Sequence, residues 1–390
     1  MKVIKWRSND EVGSVYIITY GMGQGGVSSH VETLASALKS VKRNVALVHP
    51  TRPSLLKMIV LALSSMGNIN RARRIMIIEK QRQVKSWFAK LDICPSDVFH
   101  THDVWTAYAL FSVKPDVKIV HTIHGPASRE ILMDFNDDAL SEYASQMEKQ
   151  VYERAYRLIA VDEGQANIAI EDFGAKKHKI RIIRNTVDIE ELYKVAVAGR
   201  QRTQELVGTL IKRSKNVVLA RRLVEKNGVQ VAIEALARTE ADVGFWIVGD
   251  GPLRHALEKR VEELGVKDRV TFLGGLPRSE VISLMQEADV VLVPSVPAHG
   301  VVEATSIAAL EGMAMGKIVI ASRIGGLAEM IDHNVNGMLY EPFDIDDLAS
   351  LLDTVDAEKH AELGISARSY VKEEWSTQAW VSQITEVYNE

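Results

Sequence analysis

The chain has 390 residues, a formal net charge of −4, and 46% hydrophobic and 25% charged residues. This composition is that of a globular protein, and the length predicts roughly two domains. No run of about 18 apolar residues occurs, so a membrane-spanning helix is not expected. The single cysteine excludes an internal disulfide framework and favours a reducing compartment, the cytoplasm.

The charge is distributed unevenly along the chain. Residues 1–189 contain 26 Lys and Arg and 20 Asp and Glu, which gives +6. The remainder contains 47 − 26 = 21 basic and 51 − 20 = 31 acidic residues, which gives −10. This asymmetry suggests two domains with different partners. Neither half is basic enough to indicate nucleic acid as a partner.

Short apolar runs alternate with longer amphipathic runs along the chain. Predicted strands in the first half are VYIITY (15–20), NVALVH (44–49), DVFHTH (97–102), KIVHTIHG (118–125) and RLIAVD (157–162). Predicted strands in the second half are NVVLAR (216–221), VGFWIVGDG (243–251), RVTFLGG (269–275), VVLVPS (290–295) and KIVIAS (317–322). Helical patterns such as VSSHVETLASALKS lie between strands, so each half predicts a parallel sheet covered on both faces. We therefore expect an α/β fold with two Rossmann-like, doubly wound domains.

The domain boundaries follow from where the strand patterns stop and resume. We predict a first domain over residues 1–195 and a second domain over residues 215–374. The stretch 196–214 has no strand pattern and is our candidate linker. The final segment, residues 375–390, is expected to form one helix, with Thr377 as its N-cap residue.

A glycine-rich stretch, GMGQGG, follows the first predicted strand and precedes a helical pattern. It matches the dinucleotide-binding pattern G-x-G-x-x-G at Gly21, Gly23 and Gly26. A dinucleotide site also needs a carboxylate about 20 positions further on, but the next strand ends in VHPTR. We instead expect the amides of Gly25 and Gly26 to face a phosphate at the start of the helix. The alternative is a tight structural turn without a ligand.

Two glutamates, Glu303 and Glu311, are separated by seven residues in the stretch EATSIAALEG. The small residues between them indicate that a helix begins there. Amides at a helix start bind anions, and a carboxylate on each side could hold sugar hydroxyls. A helix with two solvated glutamates is the alternative, but Glu311 lies among Ala, Gly and Met residues.

Basic residues follow the first strand of the second half, in ARRLVEKNG. Ligands of doubly wound folds bind at the carboxyl ends of strands, so Arg221 and Lys226 could hold a diphosphate. A solvated basic turn is the alternative. A second turn at a strand end, VGDGP, contains Gly249.

The ordered set GGVSSH, HTIHG, ARRLVEKNG, VGDGP, EATSIAALEGMAMGK and GGLAE resembles the retaining glycosyltransferases of family 4, which have the GT-B fold. The resemblance covers nearly the whole chain. It implies two Rossmann-like domains that face each other across a cleft, a nucleotide-sugar donor held mainly by the second domain, and a last helix that returns to the first. The family often has N-G-V-D before the linker, whereas this chain has N-T-V-D.

The resemblance also implies roles for residues around the donor. Glu303 would contact the donor sugar and Glu311 the ribose. Amides near Ser306 and Ile307 would meet the diphosphate, and Gly249 would belong to the donor site.

Two further roles concern the leaving group and the transferred sugar. Arg221 and Lys226 would neutralise the departing diphosphate, although the double arginine leaves Arg222 as an alternative to Arg221. His124, in HTIHG, matches the family histidine near the transferred sugar, and a satisfied histidine at a strand end is the alternative.

No metal or cofactor is expected. Fixed cations and amides can stabilise a leaving nucleoside diphosphate, and front-face attack by the acceptor, implied by the family, needs no enzymic nucleophile. The sequence contains D-x-D, a common metal motif of transferases, at Asp344 and Asp346, but Asp344 is better explained as a helix N-cap. The histidines of FHTHD and HTIHG suggest zinc, but no Cys or Glu completes a ligand set in either run.

The acceptor is expected to bind the first domain. Residues 71–90 contain seven basic residues and one acidic residue, and they follow the apolar run LLKMIVLAL. Such a segment could contact an anionic membrane surface and meet a lipid-linked acceptor; an ordinary helix with a basic face is the alternative.

Two other functions remain open at the level of sequence. One is a nucleotide-sugar epimerase of GT-B architecture, and the other is a non-catalytic nucleotide-sugar binding protein. The donor base, the sugar, the acceptor and the oligomeric state do not follow from the sequence.

Overall fold

The computed structural model describes residues 1–6, 13–22, 26–51, 68–210 and 212–390. These residues form two compact units. The first unit comprises the described residues of Met1–Gly23 and Val27–Arg184 together with Gln378–Glu390, and the second comprises the described residues of Asn185–Thr377.

The sheet of the first unit has the strand order β1-β3-β2-β4-β5-β6-β7. Its strands are β1 (Lys2–Trp6), β2 (Ser14–Ile18), β3 (Asn44–His49), β4 (Val98–Thr101), β5 (Ile119–Ile123), β6 (Arg157–Ala160) and β7 (Ile180–Ile182). Every pair is parallel except β1 with β3, which is antiparallel. Strands β3 and β1 lie on one side of β2, and strands β4 to β7 lie on its other side. The strand order therefore reverses between β2 and β4.

Helices cover both faces of this sheet. They are α1 (Gly26–Ser40), α2 (Ile69–Phe88), α3 (Val104–Phe111), α4 (Ala127–Phe135), α5 (Asp138–Arg154), α6 (Glu163–Glu171) and, from the end of the chain, α15 (Thr377–Asn389). One apolar core lies against α2, α3 and α5, and a second joins α1 and α15 to the strands.

The second unit contains a parallel sheet with the order β10-β9-β8-β11-β12-β13. Its strands are β8 (Lys215–Ala220), β9 (Val243–Val248), β10 (Val270–Gly274), β11 (Val290–Val293), β12 (Ile318–Ser322) and β13 (Met338–Tyr340). This is the order of a dinucleotide-binding fold, with the reversal between β8 and β11.

Helices of the second unit lie on both sides of its sheet, in two apolar clusters. They are α7 (Ile189–Thr209), α8 (Val229–Leu236), α9 (Arg254–Glu263), α10 (Arg278–Glu287), α11 (Ile307–Ala314), α12 (Gly325–Met330), α13 (Ile345–Thr354) and α14 (Ala361–Glu374). The two doubly wound units expected from the sequence are therefore confirmed, together with all ten predicted strands.

The predicted linker, residues 196–214, falls largely on a helix, and Ile211 lies outside the described residues. Most of the predicted linker lies in α7, whose N-cap residue Asp188 accepts a hydrogen bond from the Glu191 amide at 2.9 Å. The buried residues of α7 recur at helical spacing: Leu192, Ala196, Gly199, Thr203 and Val207. Because this stripe is made largely of small or polar residues, the sequence did not show an apolar face. The part of the first unit that precedes α7 ends at Arg184, whereas we placed this boundary at residue 195.

The last helix, α15, belongs to the first unit. It buries Trp380, Val381 and Ile384 against residues of α1 and β2. Its first residue is Thr377, which is therefore helical and not the expected N-cap. The Thr377 hydroxyl is buried and has no hydrogen-bond partner within the part of the chain that the structure describes.

Candidate functional site

The strand order of the second unit places two loop starts side by side. Strands β8 and β11 are parallel neighbours, and Arg221 and Ser295 lie just beyond their carboxyl ends. Ligands of doubly wound sheets bind in the crevice at such a reversal of strand order. The candidate donor site is therefore where the fold predicts it.

Arg221 is the centre of a buried polar cluster, which we call the arginine–glutamate cluster (Arg221, Asn227, Ser295, Glu303 and Ser306). Its guanidinium donates to Glu303 Oε1 at 3.2 Å and Oε2 at 2.9 Å. It also donates to the Asn227 side-chain oxygen at 2.6 Å, Ser295 Oγ at 2.8 Å and Ser306 Oγ at 3.2 Å. A buried guanidinium needs this many acceptors, because an unpaired charge in the interior is strongly unfavourable.

The two arginines differ in their exposure. Arg221 is 9% exposed, whereas Arg222 is an exposed residue. Arg221 is therefore the arginine of the buried cluster, and the assignment of one of the two to a diphosphate stays a prediction.

The carboxylate of Glu303 is held in its charged form. Burial acts to raise its pKa, but the charge and hydrogen bonds of Arg221, with smaller effects of Lys226 and Ser306, lower the pKa below its usual value. Lys226 lies in a short 3₁₀ turn after β8. Two of the predicted cations, Arg221 and Lys226, therefore act on the same carboxylate.

The loop that carries Glu303 is fixed by the glycines of the GGLAE stretch. Gly325 has a φ of +48°, and a Cβ there would lie 2.1 Å from the Glu303 carbonyl oxygen. The Gly326 amide donates to that same oxygen at 3.1 Å. A side chain at Gly325 would displace the loop, which explains why glycine is found at this position.

Helix α11 begins between the two glutamates, as predicted. Ser306 is its N-cap residue, Ile307 is its first residue and Glu311 is buried in its second turn. Amides near Ser306 and Ile307 thus lie at a helix N-terminus, next to Arg221.

Glu311 forms an ion pair that the sequence did not predict. Its Oε1 accepts from Arg278 Nε at 3.2 Å and from a terminal Arg278 nitrogen at 2.9 Å. Burial raises the pKa of Glu311, and the charge of Arg278 reduces this rise without reversing it. Arg278 is the first residue of α10 and follows the loop after β10. Its position near the carboxyl end of a strand was the feature of the sequence that could have identified it as a site residue.

The three predicted glycines have different positions. Gly249 has a φ of +134°, and a Cβ there would lie 2.0 Å from the Arg221 carbonyl oxygen. Glycine is required at position 249 because a side chain there would collide with the loop after β8. Gly26 begins α1, as expected, whereas Gly25 lies outside the described residues.

In the first unit, His124 directly follows β5 and lies among other histidines. His102 Nδ1 is 3.2 Å from His124 Nε2, and the ring of His30 meets the His124 ring edge-on with centroids 4.7 Å apart. Burial, with smaller effects of neighbouring histidines, lowers the pKa values of His102 and His124 well below the usual range. His30 and His102 were not among the predicted site residues, because their partners lie on other elements.

The D-x-D motif has the predicted structural role. The Asp344 side chain accepts from the Asp347 amide at 2.9 Å and caps α13. Asp346 lies in the first turn of that helix.

Sequence comparison gives the family. A model described as "Glycosyl transferases group 1" matches residues 201–370, and one described as "Glycosyltransferase Family 4" matches residues 24–191. The chain belongs to the group 1 glycosyltransferases. It is a transferase enzyme, and the matches together extend over both units.

Curated relatives of this glycosyltransferase are themselves named as glycosyltransferases. It is 28% identical over 264 residues to an uncharacterized glycosyltransferase of Methanocaldococcus jannaschii, covering 66% of each chain. It is 26% identical over 320 residues to the D-inositol 3-phosphate glycosyltransferase of Corynebacterium glutamicum, covering 78% of this chain and 74% of the relative.

Among solved structures, the glycosyltransferase is similar to Anabaena HepE in complex with UDP-glucose. The TM-score is 0.68 with 19% identity, and the match covers 96% of this chain and 99% of HepE. This likeness supports the GT-B fold. Within the described residues, the glycosyltransferase has no helix with the length and hydropathy needed to cross a bilayer.

Proposed function

We propose that this glycosyltransferase moves a sugar from a UDP-sugar to a hydroxyl group of an acceptor, with retention of anomeric configuration and without a metal ion. The observation that carries the proposal is the buried ion pair between Arg221 and Glu303 beside the N-terminus of α11. A charged carboxylate, a fixed cation and free helix amides at one strand-order reversal match the needs of a nucleotide-sugar site.

The choice of donor is supported by the geometry of Glu311 and by a neighbour. HepE, which has the same fold, was solved with UDP-glucose. Glu311 Oε1 is bound by Arg278, and we assign the ribose hydroxyls to Oε2. In this role Arg278 orients the carboxylate and opposes the rise in its pKa that burial causes.

The diphosphate would be stabilised by groups around the start of α11. Amides near Ser306 and Ile307 form a helix N-terminus, which favours anions. Lys226 contributes a point charge, and Arg221 contributes a fixed charge that Glu303 shares. The amides at Gly25 and Gly26 would provide further donors. Charge that develops on the leaving phosphate would thus be met without a metal.

Retention would follow from attack on the same face that the diphosphate leaves. The acceptor hydroxyl forms the new bond to the anomeric carbon as the bond to the diphosphate oxygen breaks. Its proton passes to the departing phosphate oxygen. Glu303 would bind the sugar hydroxyls, and a neutral His124 would accept or donate a hydrogen bond to the sugar.

The donor site is tested by thermal shift with UDP, GDP, ADP and their sugars, in EDTA. A ligand that binds the native state raises stability by RT ln(1 + [L]/Kd), about 2.7 kcal/mol when [L] is 100 Kd. We expect a shift with UDP and a UDP-sugar, lost in Glu311→Ala and retained in the exposed control Glu287→Ala. An equal shift in both variants, or a shift with another base, would contradict the UDP assignment.

Turnover separates transfer from the alternatives. Transfer with retention predicts UDP release that depends on acceptor, and NMR should show the same anomeric configuration in donor and product. Isomerisation of the UDP-sugar without acceptor would instead identify an epimerase. Saturable binding without turnover on a panel of glycan, lipid-linked and small-molecule acceptors would favour a binding protein.

We also propose that α2 contacts an anionic membrane surface on the cytoplasmic side, where a lipid-linked acceptor would be met. Arg71, Ile78 and Arg82 are exposed and recur at helical spacing on one side of α2. Basic residues with an exposed apolar side chain favour an anionic interface. We expect the protein to sediment with anionic vesicles but not with neutral ones. Salt and the double variant Arg71→Glu/Arg82→Glu should both reduce this sedimentation. Equal sedimentation of that variant would contradict it.

A further inference from the structure

Three histidines of the first unit converge at the reversal of its strand order. His30 lies on α1, which follows β2, and His102 directly follows β4, the parallel neighbour of β2. His124 directly follows β5, which pairs with β4. Because the carboxyl ends of parallel strands share one edge of the sheet, three sequence-distant imidazoles meet there. We call His30, His102 and His124 the histidine cluster.

The spacing of the histidine cluster is suited to one metal ion. One ring nitrogen from each residue lies within 4.8 Å of the others. The facing nitrogens His102 Nδ1 and His124 Nε2 are 3.2 Å apart. Two nitrogens bound to one tetrahedral Zn²⁺ at roughly 2.0–2.1 Å are separated by about 3.3 Å. The spacing of this pair therefore matches that of two ligands of one ion, and the third nitrogen, from His30, lies within 4.8 Å and would move closer on binding.

The chemical form of these imidazoles also favours a metal. His30 and His102 are almost fully buried and His124 is partly buried. Imidazole nitrogens are common zinc ligands, and these three rings are largely enclosed by protein. The other ring nitrogen of His102, Nε2, is buried with no hydrogen-bond partner among the described residues.

We propose that the histidine cluster binds one Zn²⁺ ion, or another divalent transition metal that prefers imidazole. Three histidines with an open fourth position form a recognised zinc site, and imidazole ligands favour Zn²⁺, Ni²⁺ and Cu²⁺ over Mg²⁺ or Ca²⁺. The zinc hypothesis was set aside from the sequence because each histidine run lacked a further ligand. His30, from a different element, provides it.

Binding of a metal to the histidine cluster should affect the transfer reaction, and this step rests on the proposed function. If His124 interacts with the transferred sugar, an ion on His124 Nε2 removes the lone pair or proton that the sugar would use. The ion is therefore an inhibitor of a reaction that needs no metal. Chelation should increase the rate of a preparation that contains Zn²⁺.

The binding test uses the full chain after chelation and dialysis. Co²⁺ serves as the probe, because a tetrahedral site gives Co²⁺ a visible absorption band, and Zn²⁺ is then added in competition. We expect one equivalent of Co²⁺ to develop the band and one equivalent of Zn²⁺ to remove it. His30→Phe keeps the ring that packs edge-on against Trp380 and should weaken binding by at least about tenfold.

A second variant and a control separate the site from general metal adsorption. His102→Phe should also lose the band, whereas His178→Phe, which changes an exposed histidine of the same unit, should keep it. Far-UV circular dichroism and the UDP thermal shift report whether each variant is folded. No band in the folded wild type, or an equal band in His30→Phe, would overturn the proposal.

The inhibition test keeps the two proposals apart. Zn²⁺ should inhibit transfer reversibly in the wild type, with recovery in EDTA, and at least about tenfold less strongly in His30→Phe. A Co²⁺ band without transfer under any condition would leave the metal site intact and defeat the proposed function. Transfer without a Co²⁺ band would support the proposed function and overturn the proposed metal site.

Discussion

Arg278 is the residue whose role is most directly testable. It contributes two hydrogen bonds to one oxygen of Glu311 and opposes the rise in the pKa of that buried carboxyl. In Arg278→Gln, Glu311 loses its cation, and a protonated acid is a poorer acceptor for ribose hydroxyls. Hydrogen bonds to charged groups are worth about 1.5–3 kcal/mol, so we expect the Kd for UDP to rise about 10- to 100-fold by calorimetry.

A matched variant of the second unit controls for lost surface charge. Arg238 pairs with Asp346 at an exposed site, and Arg238→Gln should leave the Kd for UDP unchanged. If Arg278→Gln also leaves it unchanged, Glu311 does not depend on Arg278 for donor binding.

A second residue-level prediction concerns Arg221 and Glu303. Their side chains are only 8% and 12% exposed, and removing one partner of a buried pair costs about 3–5 kcal/mol because a charge is left uncompensated. Glu303→Gln should therefore destabilise the protein strongly in urea unfolding. Arg221→Met/Glu303→Gln should be less destabilised than Glu303→Gln alone. Additive effects of the two single changes would mean that the ion pair does not couple them.

At the scale of elements, α7 offers a comparison within one helix. Gly199 packs so closely that an added Cβ would lie 2.2 Å from the Ser279 carbonyl oxygen, whereas an added Cβ at Gly208 would have none of the described neighbouring atoms within 4 Å. Alanine normally stabilises a helix by about 0.5–1 kcal/mol relative to glycine. Gly208→Ala should show this gain in urea unfolding, and Gly199→Ala should be destabilised because α7 must move from α10. A gain in both variants would mean that α7 is not packed as the structure has it.

The elements that could be predicted are those whose burial leaves a pattern in the sequence. Parallel strands covered on both faces form continuous apolar runs, as in VVLV of β11. Strand β1 was missed because its two lysines, Lys2 and Lys5, break the run at a sheet edge, where charge protects against aggregation. Strands β7 and β13 have three residues each, too few to show a period.

The site residues that could be predicted were likewise those with a signal in the nearby sequence. Arg221, Glu303 and Glu311 could be proposed because each lies at a strand end or helix start that the sequence shows. Arg278 and His30 could not be linked to their partners, because each contact joins elements whose adjacency is set only by the strand order. Sequence spacing alone does not contain that information.

At the scale of the whole molecule, pH should act on stability through a buried carboxyl of the first unit. Glu148, on α5, accepts hydrogen bonds from the Ala127 amide at 2.6 Å, the Ser128 amide at 3.3 Å and Ser128 Oγ at 2.5 Å, at the start of α4. Burial raises the pKa of Glu148 from 4.5 to about 7, although these hydrogen bonds act in the opposite direction.

A folded-state pKa above the unfolded value means that the folded protein holds this proton more tightly. The resulting stabilisation is complete below about pH 4.5 and is lost as the pH rises through about 7. The difference of 7 − 4.5 = 2.5 units corresponds to a loss of about 3 kcal/mol in the free energy of unfolding. In Glu148→Gln this contribution is absent, so its stability should change less with pH over that interval.

The comparison of two variants isolates this one group from all others that titrate. Urea unfolding at several values between pH 5 and pH 8 should give a wild-type stability that falls relative to Glu148→Gln as the pH rises. Glu142→Gln changes an exposed carboxyl on the same helix, and its curve should run parallel to that of the wild type, since other groups contribute equally to both. Parallel curves for Glu148→Gln and the wild type would contradict the prediction. They would mean that Glu148 has the same pKa in the folded and unfolded states, so that it is charged at the start of α4 over this pH interval.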